Sequence, residues 1–403
     1  MALDLTSFDA ALKSYYVKDF MENLAYKNNP FHALVPKMEE FYGKNLPIPV
    51  IYANPTGRSA TFSTAQSNKN NSGLKGFTLT RAKDYSLASV DGETLAASAN
   101  DRGAFMDAIT VELDGALAQA VRSLAVAEFR DGSGAIGRIN ATVTGTTLTL
   151  ATAQDIVNFE VGMKIQFSSA ATSATLRASG ATLTVTAIDR AAGSMTVGAN
   201  LNTISGITSN DYINVQGDIE AKVKGLDAWI PSTVSATSFF GVDRTTDSTR
   251  LGGVRYDGSA QPIEEAMTDG LSLLEREGGA PDYAFMSYAN LSNLKKALGS
   301  KVQYVQAQVD GKAKFSFQGI QIHGNKGPVT VLGDQNCPAL VSYLIQMDSW
   351  KLYSLGSAPR ILDWDNMKVL RESSSDGVEG RMGYYANLGC KAPGWSGRVT
   401  LAS

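Results

Sequence analysis

Few side chains in this 403-residue chain stand at spacings that could do covalent or metal chemistry. The only histidines, His32 and His323, are 291 residues apart, so no HExxH pair or mixed Cys/His zinc string can form. Cys337 and Cys390 lack a CxxC spacing and read as two small buried hydrophobes. Asp131-Gly132-Ser133-Gly134-Ala135-Ile136-Gly137 matches the letters of the dinucleotide-binding GxGxxG string. That fingerprint needs a strand before the glycines and a helix after them, and here the pattern is reversed. Gly132, Gly134 and Gly137 therefore read as a helix stop and turn. Asp363-Trp364-Asp365-Asn366 begins like a calcium loop but lacks the glycine and closing glutamate such a loop requires. Glu264 and Glu265 are helix neighbours that cannot converge on one substrate. No catalytic residue, cofactor site or metal site is assigned, and the chain is not expected to be an enzyme.

Charge excludes further classes. A net charge of −3 and a pI near 5.6 argue against a surface built to grip nucleic acid, and no basic helix or aromatic ladder occurs. No run of 18 apolar residues could span a bilayer, and Asp4 and Asp9 spoil a secretory signal, so a soluble chain made in the cytoplasm is expected. Charged residues are 19% of the chain, against about 25% in ordinary globular domains. One segment departs from this balance. From Asn54 to Lys83 the bases are Arg58, Lys69, Lys75, Arg81 and Lys83, with no Asp or Glu at all.

The elements that position these residues follow from periodicity. Residues 1–45 carry scattered aromatics and read as an arm that packs on something. Leu46–Tyr52 and Gly76–Tyr85 alternate as two strands around a polar tip from Asn54 to Lys75, too long for an ordinary hairpin turn. Residues 101–129 are the clearest helix. Phe105, Ile109, Leu113, Leu117 and Leu124 recur at helical steps, on a rod of about 40 Å.

Composition then changes abruptly. From Asn140 to Gly217, 78 residues hold 7 charges and 21 Ser or Thr, and short alternating stretches read as a separate all-β module. A faint echo at a spacing of 48 sets Ile156, Phe159, Ile165 and Phe167 against Ile204, Ile207, Ile213 and Val215. Beyond it, helices beginning at Ser259/Pro262 and Ser287 alternate with strands in an α+β layer.

This order of parts resembles the tailed-bacteriophage major capsid proteins with the Hong Kong 97-type fold. The stretches that carry it are Leu87-Ala-Ser-Val-Asp-Gly-Glu-Thr-Leu95, Asp131-Gly-Ser-Gly-Ala135, Gly279-Ala-Pro-Asp-Tyr-Ala-Phe-Met286, Phe317-Gln-Gly-Ile-Gln-Ile322 and Cys390-Lys-Ala-Pro-Gly-Trp395. Everything except 140–217 is covered. The resemblance implies an α+β capsid fold: an N-terminal arm (1–45), an extension loop (46–86) and a peripheral domain with a spine helix (87–139). An inserted β domain (140–217), an axial domain (218–344) and a return to the peripheral domain (345–403) would follow.

Implied with it is a major capsid protein that forms hexamers and pentamers of an icosahedral head shell, enclosing double-stranded DNA without sequence-specific binding. It would be assembled in the host cytoplasm and located in the virion. Arg58, Lys69, Asn70, Asn71, Lys75, Arg81 and Lys83 would contact a neighbouring subunit. Only about 45 residues precede the loop, so a separate scaffolding protein is expected, beside a portal and a decoration protein. Some relatives seal the shell with a Lys–Asn isopeptide bond. Lys69, Asn70, Asn71 and Lys75 lie at the loop tip, but no partner glutamate is assigned, and buried interface area is expected to hold the shell instead. The alternatives are an encapsulin-like nanocompartment and a surface adhesin or tail protein built on 140–217.

Overall fold

The computed structural model describes residues 29–92, 102–140, 144–172, 175–299, 304–308, 316–363, 369–371, 373 and 376–402, without side chains at 102–111, 304–308 and 316–319. Residues 1–28 of the arm expected at 1–45, and the side chains of Phe105 and Ile109, lie outside them. The described chain opens with α1 (Pro30–Leu34), β1 (Lys37–Met38), β2 (Leu46–Ala53), α2 (Phe62–Ser67), β3 (Gly73–Leu79), β4 (Ala82–Val90) and the long helix α3 (Arg102–Phe129). A second group is all-β: β5 (Ala135–Arg138), β6 (Thr147–Thr149), β7 (Lys164–Ser168), β8 (Leu183–Asp189), β9 (Ser194–Val197) and β10 (Tyr212–Val215). Then come α4 (Leu226–Trp229), β11 (Val254–Asp257), α5 (Ile263–Arg276), β12 (Tyr283–Met286), α6 (Tyr288–Leu298), β13 (Tyr304–Gln308), β14 (Ser316–His323), β15 (Pro328–Gly333) and β16 (Val341–Ile345). The chain closes with β17 (Trp350–Ser354), β18 (Arg360–Ile361), β19 (Val369–Arg371), β20 (Val378–Cys390) and β21 (Gly397–Thr400).

Helix α3 holds seven Ala and three Leu among its 28 residues, types that lose little entropy in a helix. Leu113, Leu117, Val121 and Leu124 bury one face. Leu113, Leu117 and Val121 meet Ala88 of β4 and Met382 of β20. Strand β20 is the axis of that sheet: Gly383 pairs with Arg360 on one edge and Tyr85 on the other. From Leu124 to Phe129 the helix is buried on every side, because its end enters the junction of the molecule. There Phe129 packs on Phe31, Phe285 and Tyr343, with ring centroids 5.3, 6.4 and 6.2 Å away. Trp229 gathers Phe77, Phe239 and Trp350 at 5.0, 5.1 and 6.1 Å, and its Nε1 donates to the Leu388 carbonyl at 3.0 Å. Gly225 lets α4 approach, since a Cβ there would stand 2.2 Å from the Glu128 carbonyl oxygen.

Strands β5 to β10 form one sheet, in the order β5-β10-β7-β8-β9-β6, over a core drawn from residues 136–213 alone. The half of the echo at 48 that sets Ile165 and Phe167 against Ile213 and Val215 falls on β7 and β10, whereas Ile156, Phe159, Ile204 and Ile207 lie outside both strands. The two strands pair antiparallel with Ile165 opposite Val215 and Phe167 opposite Ile213, the exchange an internal twofold produces. A seven-stranded sheet, β11-β21-β16-β12-β15-β14-β13, carries α5 and α6.

Four expectations are corrected. Gly76–Tyr85 is two strands, broken at Thr80–Arg81, and β4 leaves the hairpin to pair with β20. The β module begins at β5, before residue 140. Gly137 belongs to that strand, where its missing Cβ makes room for the Phe159 ring, whereas Gly132 and Gly134 do form the turn with φ of +85° and +84°. Residues 345–403 return to two sheets, because β21 pairs parallel to β11 and antiparallel to β16 in the seven-stranded sheet.

One buried and one half-buried polar cluster brace this framework. At the junction, His32 Nδ1 meets Glu128 Oε1 at 2.7 Å, and Asp334 accepts the backbone N–H groups of Phe31 and Asn336 at 3.3 and 2.9 Å. Burial pushes the Asp334 carboxyl up to about 7, with the Glu128 charge adding to the rise. Below the module, Lys222 Nζ contacts Asp84 at 2.6 Å, Asp218 at 3.0 Å and Ser123 Oγ at 2.9 Å. Burial outweighs Lys222 and pushes Asp218 up to about 6. Both carboxyls bind protons more tightly folded than unfolded, so their contribution is complete below about 3.8 and is lost as pH rises through 6 to 7. Thermal melting should therefore occur at a higher temperature at pH 5.5 than at pH 8. Asp334→Asn should flatten that slope; an unchanged slope would contradict the assignment.

Candidate intersubunit surface

The β2–β3 hairpin is anchored at its base and bare at its far end. Ile48, Val50, Phe77 and Leu79 are buried against the junction core. Pro47 and Pro49 fall on alternate positions of β2, whose only partner among the described residues is β3. Lacking N–H groups, they leave the outer edge of β2 unable to accept another strand. Arg250 Nη1 holds the hairpin by donating to the Tyr52 carbonyl at 2.6 Å, and Thr78 N–H donates to Phe240 O at 2.8 Å. On the opposite face, between buried Val50 and the held Tyr52, Ile51 and its cross-strand partner Leu74 are 63% and 60% exposed, and Phe62 on α2 towards the tip is 79% exposed.

The residues expected to act together divide into four groups. Arg58, Lys69, Asn70 and Asn71 are exposed at the tip, where Asn70 Oδ1 also accepts the Thr56 N–H at 2.5 Å and closes the loop. Lys75 lies on the anchored face beside Asp243, whose carboxyl the Thr245 hydroxyl and N–H hold below the usual range, with Lys75 adding to the effect. Arg81 is used within its own subunit: it donates to the carbonyls of Phe41 and Gly43 at 2.6 and 2.5 Å and lies over the Phe41 ring. Lys83 projects from β4, opposite Tyr385 in another sheet. Ile51, Leu74 and Phe62 escaped the sequence reading because Val50-Ile51-Tyr52 is apolar on both faces of the strand.

The β module is seated on α3 by ion pairs. Arg122 reaches Glu160, which Arg190 also meets at 3.0 Å, and Arg130 Nη2 meets Asp155 at 2.6 Å. At the root, Gly134 packs where a Cβ would lie 2.2 Å from the Asp218 carbonyl oxygen. Cys337 and Cys390 are free and buried, and burial pushes the Cys390 thiol up to about 12. Among the described residues no cluster of His, Cys, Asp and Glu could hold a metal, and no helix is long and apolar enough to cross a membrane. Asp363 is exposed, and residues 364–368 of the calcium-like string lie outside the described residues.

A projecting hairpin, a long helix crossing a sheet, and a second α/β sheet joined through one junction define the α+β capsid-subunit fold of the Hong Kong 97 type. Among solved structures, the capsid asymmetric unit of cyanophage A-1(L) shares it with a TM-score of 0.51 and 13% identity, over 96% of this chain and 94% of that chain. The capsid of a native GTA particle gives 0.44 at 8% identity, covering 95% and 91%, and the satellite phage P4 procapsid 0.41 at 11%, covering 95% and 98%. No protein-family model and no curated protein sequence matches the chain.

Replacing Arg122 and Arg130 together by Ala should loosen the module without unfolding the rest. Limited proteolysis in the 216–222 connector should accelerate several-fold, as expected for partly exposed ion pairs, and an unchanged cleavage rate would count against this docking.

Proposed function

We propose that the chain is the major capsid protein of a tailed phage, assembling through its projecting hairpins into the hexamers and pentamers of an icosahedral shell around double-stranded DNA. The observation that carries this reading is the outward face and tip of the hairpin. Ile51, Leu74 and Phe62 stand in solvent on an arm whose base is rigidly held. Covering each such side chain stabilises a contact by about 1.5–3 kcal/mol, and many copies in closed symmetry multiply the effect. Likeness over nearly the whole chain to the capsid unit of cyanophage A-1(L) supports another copy of the chain as the partner. Arg58 and Lys69 add a positive rim suited to an acidic neighbour. The virion is the location this implies, and the role is structural rather than enzymatic.

Negative-stain microscopy of the expressed chain should show closed particles or capsomers. Ile51→Ser, Leu74→Ser and Phe62→Ser combined should leave the melting temperature of the unassembled chain within a few degrees of wild type and abolish closed particles. Arg58→Ala with Lys69→Ala should weaken shells at low salt and much less at high salt, where screening has removed the attraction. A wild-type chain that stays monomeric, or a triple variant that assembles normally, would overturn the reading.

A further inference from the structure

The seven charged side chains of residues 140–217 are unevenly used. Asp155, Glu160 and Arg190 belong to the seat on α3, and Arg177 pairs with Asp211 inside the module at 2.8 Å. The remaining two, Lys164 and Asp189, lie on the outer face of the sheet at opposite ends of β8. Lys164 is the cross-strand partner of Thr184, and Asp189 stands opposite Ser194, its Oδ1 accepting the N–H groups of Ala191 and Ala192. Between them the face carries Thr184, Ala187, Thr196, Thr147 and Thr149, while Leu148, Leu183, Val185, Met195 and Val197 turn into the core. A register shift between Val185 and Ala187 keeps Thr186 and Ala187 both exposed and so widens the uncharged field.

We infer that this face docks against the same face of a second copy, across a twofold axis with the two β8 strands antiparallel. A twofold contact brings each group near the axis against its own duplicate. A lysine or carboxylate there would repel itself, whereas a hydroxyl both donates and accepts and can pair with an identical hydroxyl. The centre of this face holds hydroxyls and methyls and no charge. Reversing one β8 over the other sets Lys164 of one copy over the second copy's Asp189, and does so twice. The pattern is therefore self-complementary in charge as well as in hydrogen bonding. The inference rests on the shell reading, which supplies many copies at close range, and it assigns the module the role of joining subunits rather than decorating them.

The test uses the full chain with Ala187→Lys, Ala187→Glu and an equal mixture of the two. Ala187 is exposed near the middle of the face, so equal melting temperatures of the unassembled variants would verify that they fold. Each single variant should raise the critical concentration for shell assembly several-fold at low salt, and the mixture should return towards wild type because unlike charges can then meet across the axis. Single variants that assemble like wild type, or a mixture no better than either alone, would overturn the face-to-face contact and leave the shell reading standing. Failure of the wild-type chain to form particles would instead remove the shell reading and this contact with it.

Discussion

The end of one long helix has to be buried, and most of the architecture follows from where that happens. Helix α3 begins as a one-sided element over a sheet and finishes with Phe129 enclosed by Phe31, Phe285 and Tyr343. In the same core, Trp229 ties the hairpin base to β20 and β17 through Phe77, the Leu388 carbonyl and Trp350. Aromatic side chains suit such a crossing because each buries a large area with few rotatable bonds. The segment from Phe31 to Phe41, the hairpin and both α/β sheets therefore contribute to one shared core, and the hairpin is held at its root by the residues that hold the molecule together.

The β module obeys a different rule. Its core is its own, and it meets the body through Arg122, Arg130, Asp155, Glu160 and the Lys222 cluster. Ion pairs fix direction well but contribute modest stability when partly exposed. An element joined this way can be gained or lost without repacking the core around Trp229, which is consistent with the abrupt change of composition at its borders.

Local patterns were legible and distant ones were not. The steps of three and four through Leu113, Leu117 and Leu124 identify α3 because one face is buried, and the scarcity of charge between 140 and 217 marks a module with its own core. The break at Thr80 was invisible, since alternation runs through it unbroken. It is made by Asn387, 307 residues away, whose Nδ2 donates to the Thr80 carbonyl. The place of β21 was equally hidden, because parallel pairing with β11 joins residues far apart in the chain. In the candidate site, the basic run could be counted but not sorted. Only tertiary structure separates Arg81, fastened to Phe41 and Gly43, from Arg58 and Lys69 at the tip.

The prolines of β2 bear on time as much as on shape. A freshly made subunit carrying a long strand with an open edge would offer every other copy a template for endless sheet growth. With Pro47 and Pro49 on it, the outer edge of β2 lacks donors at those two positions, and encounters along that edge do not lock by backbone pairing. In the shell proposed for this chain, mismatched encounters along that edge could come apart, and errors of assembly would remain correctable.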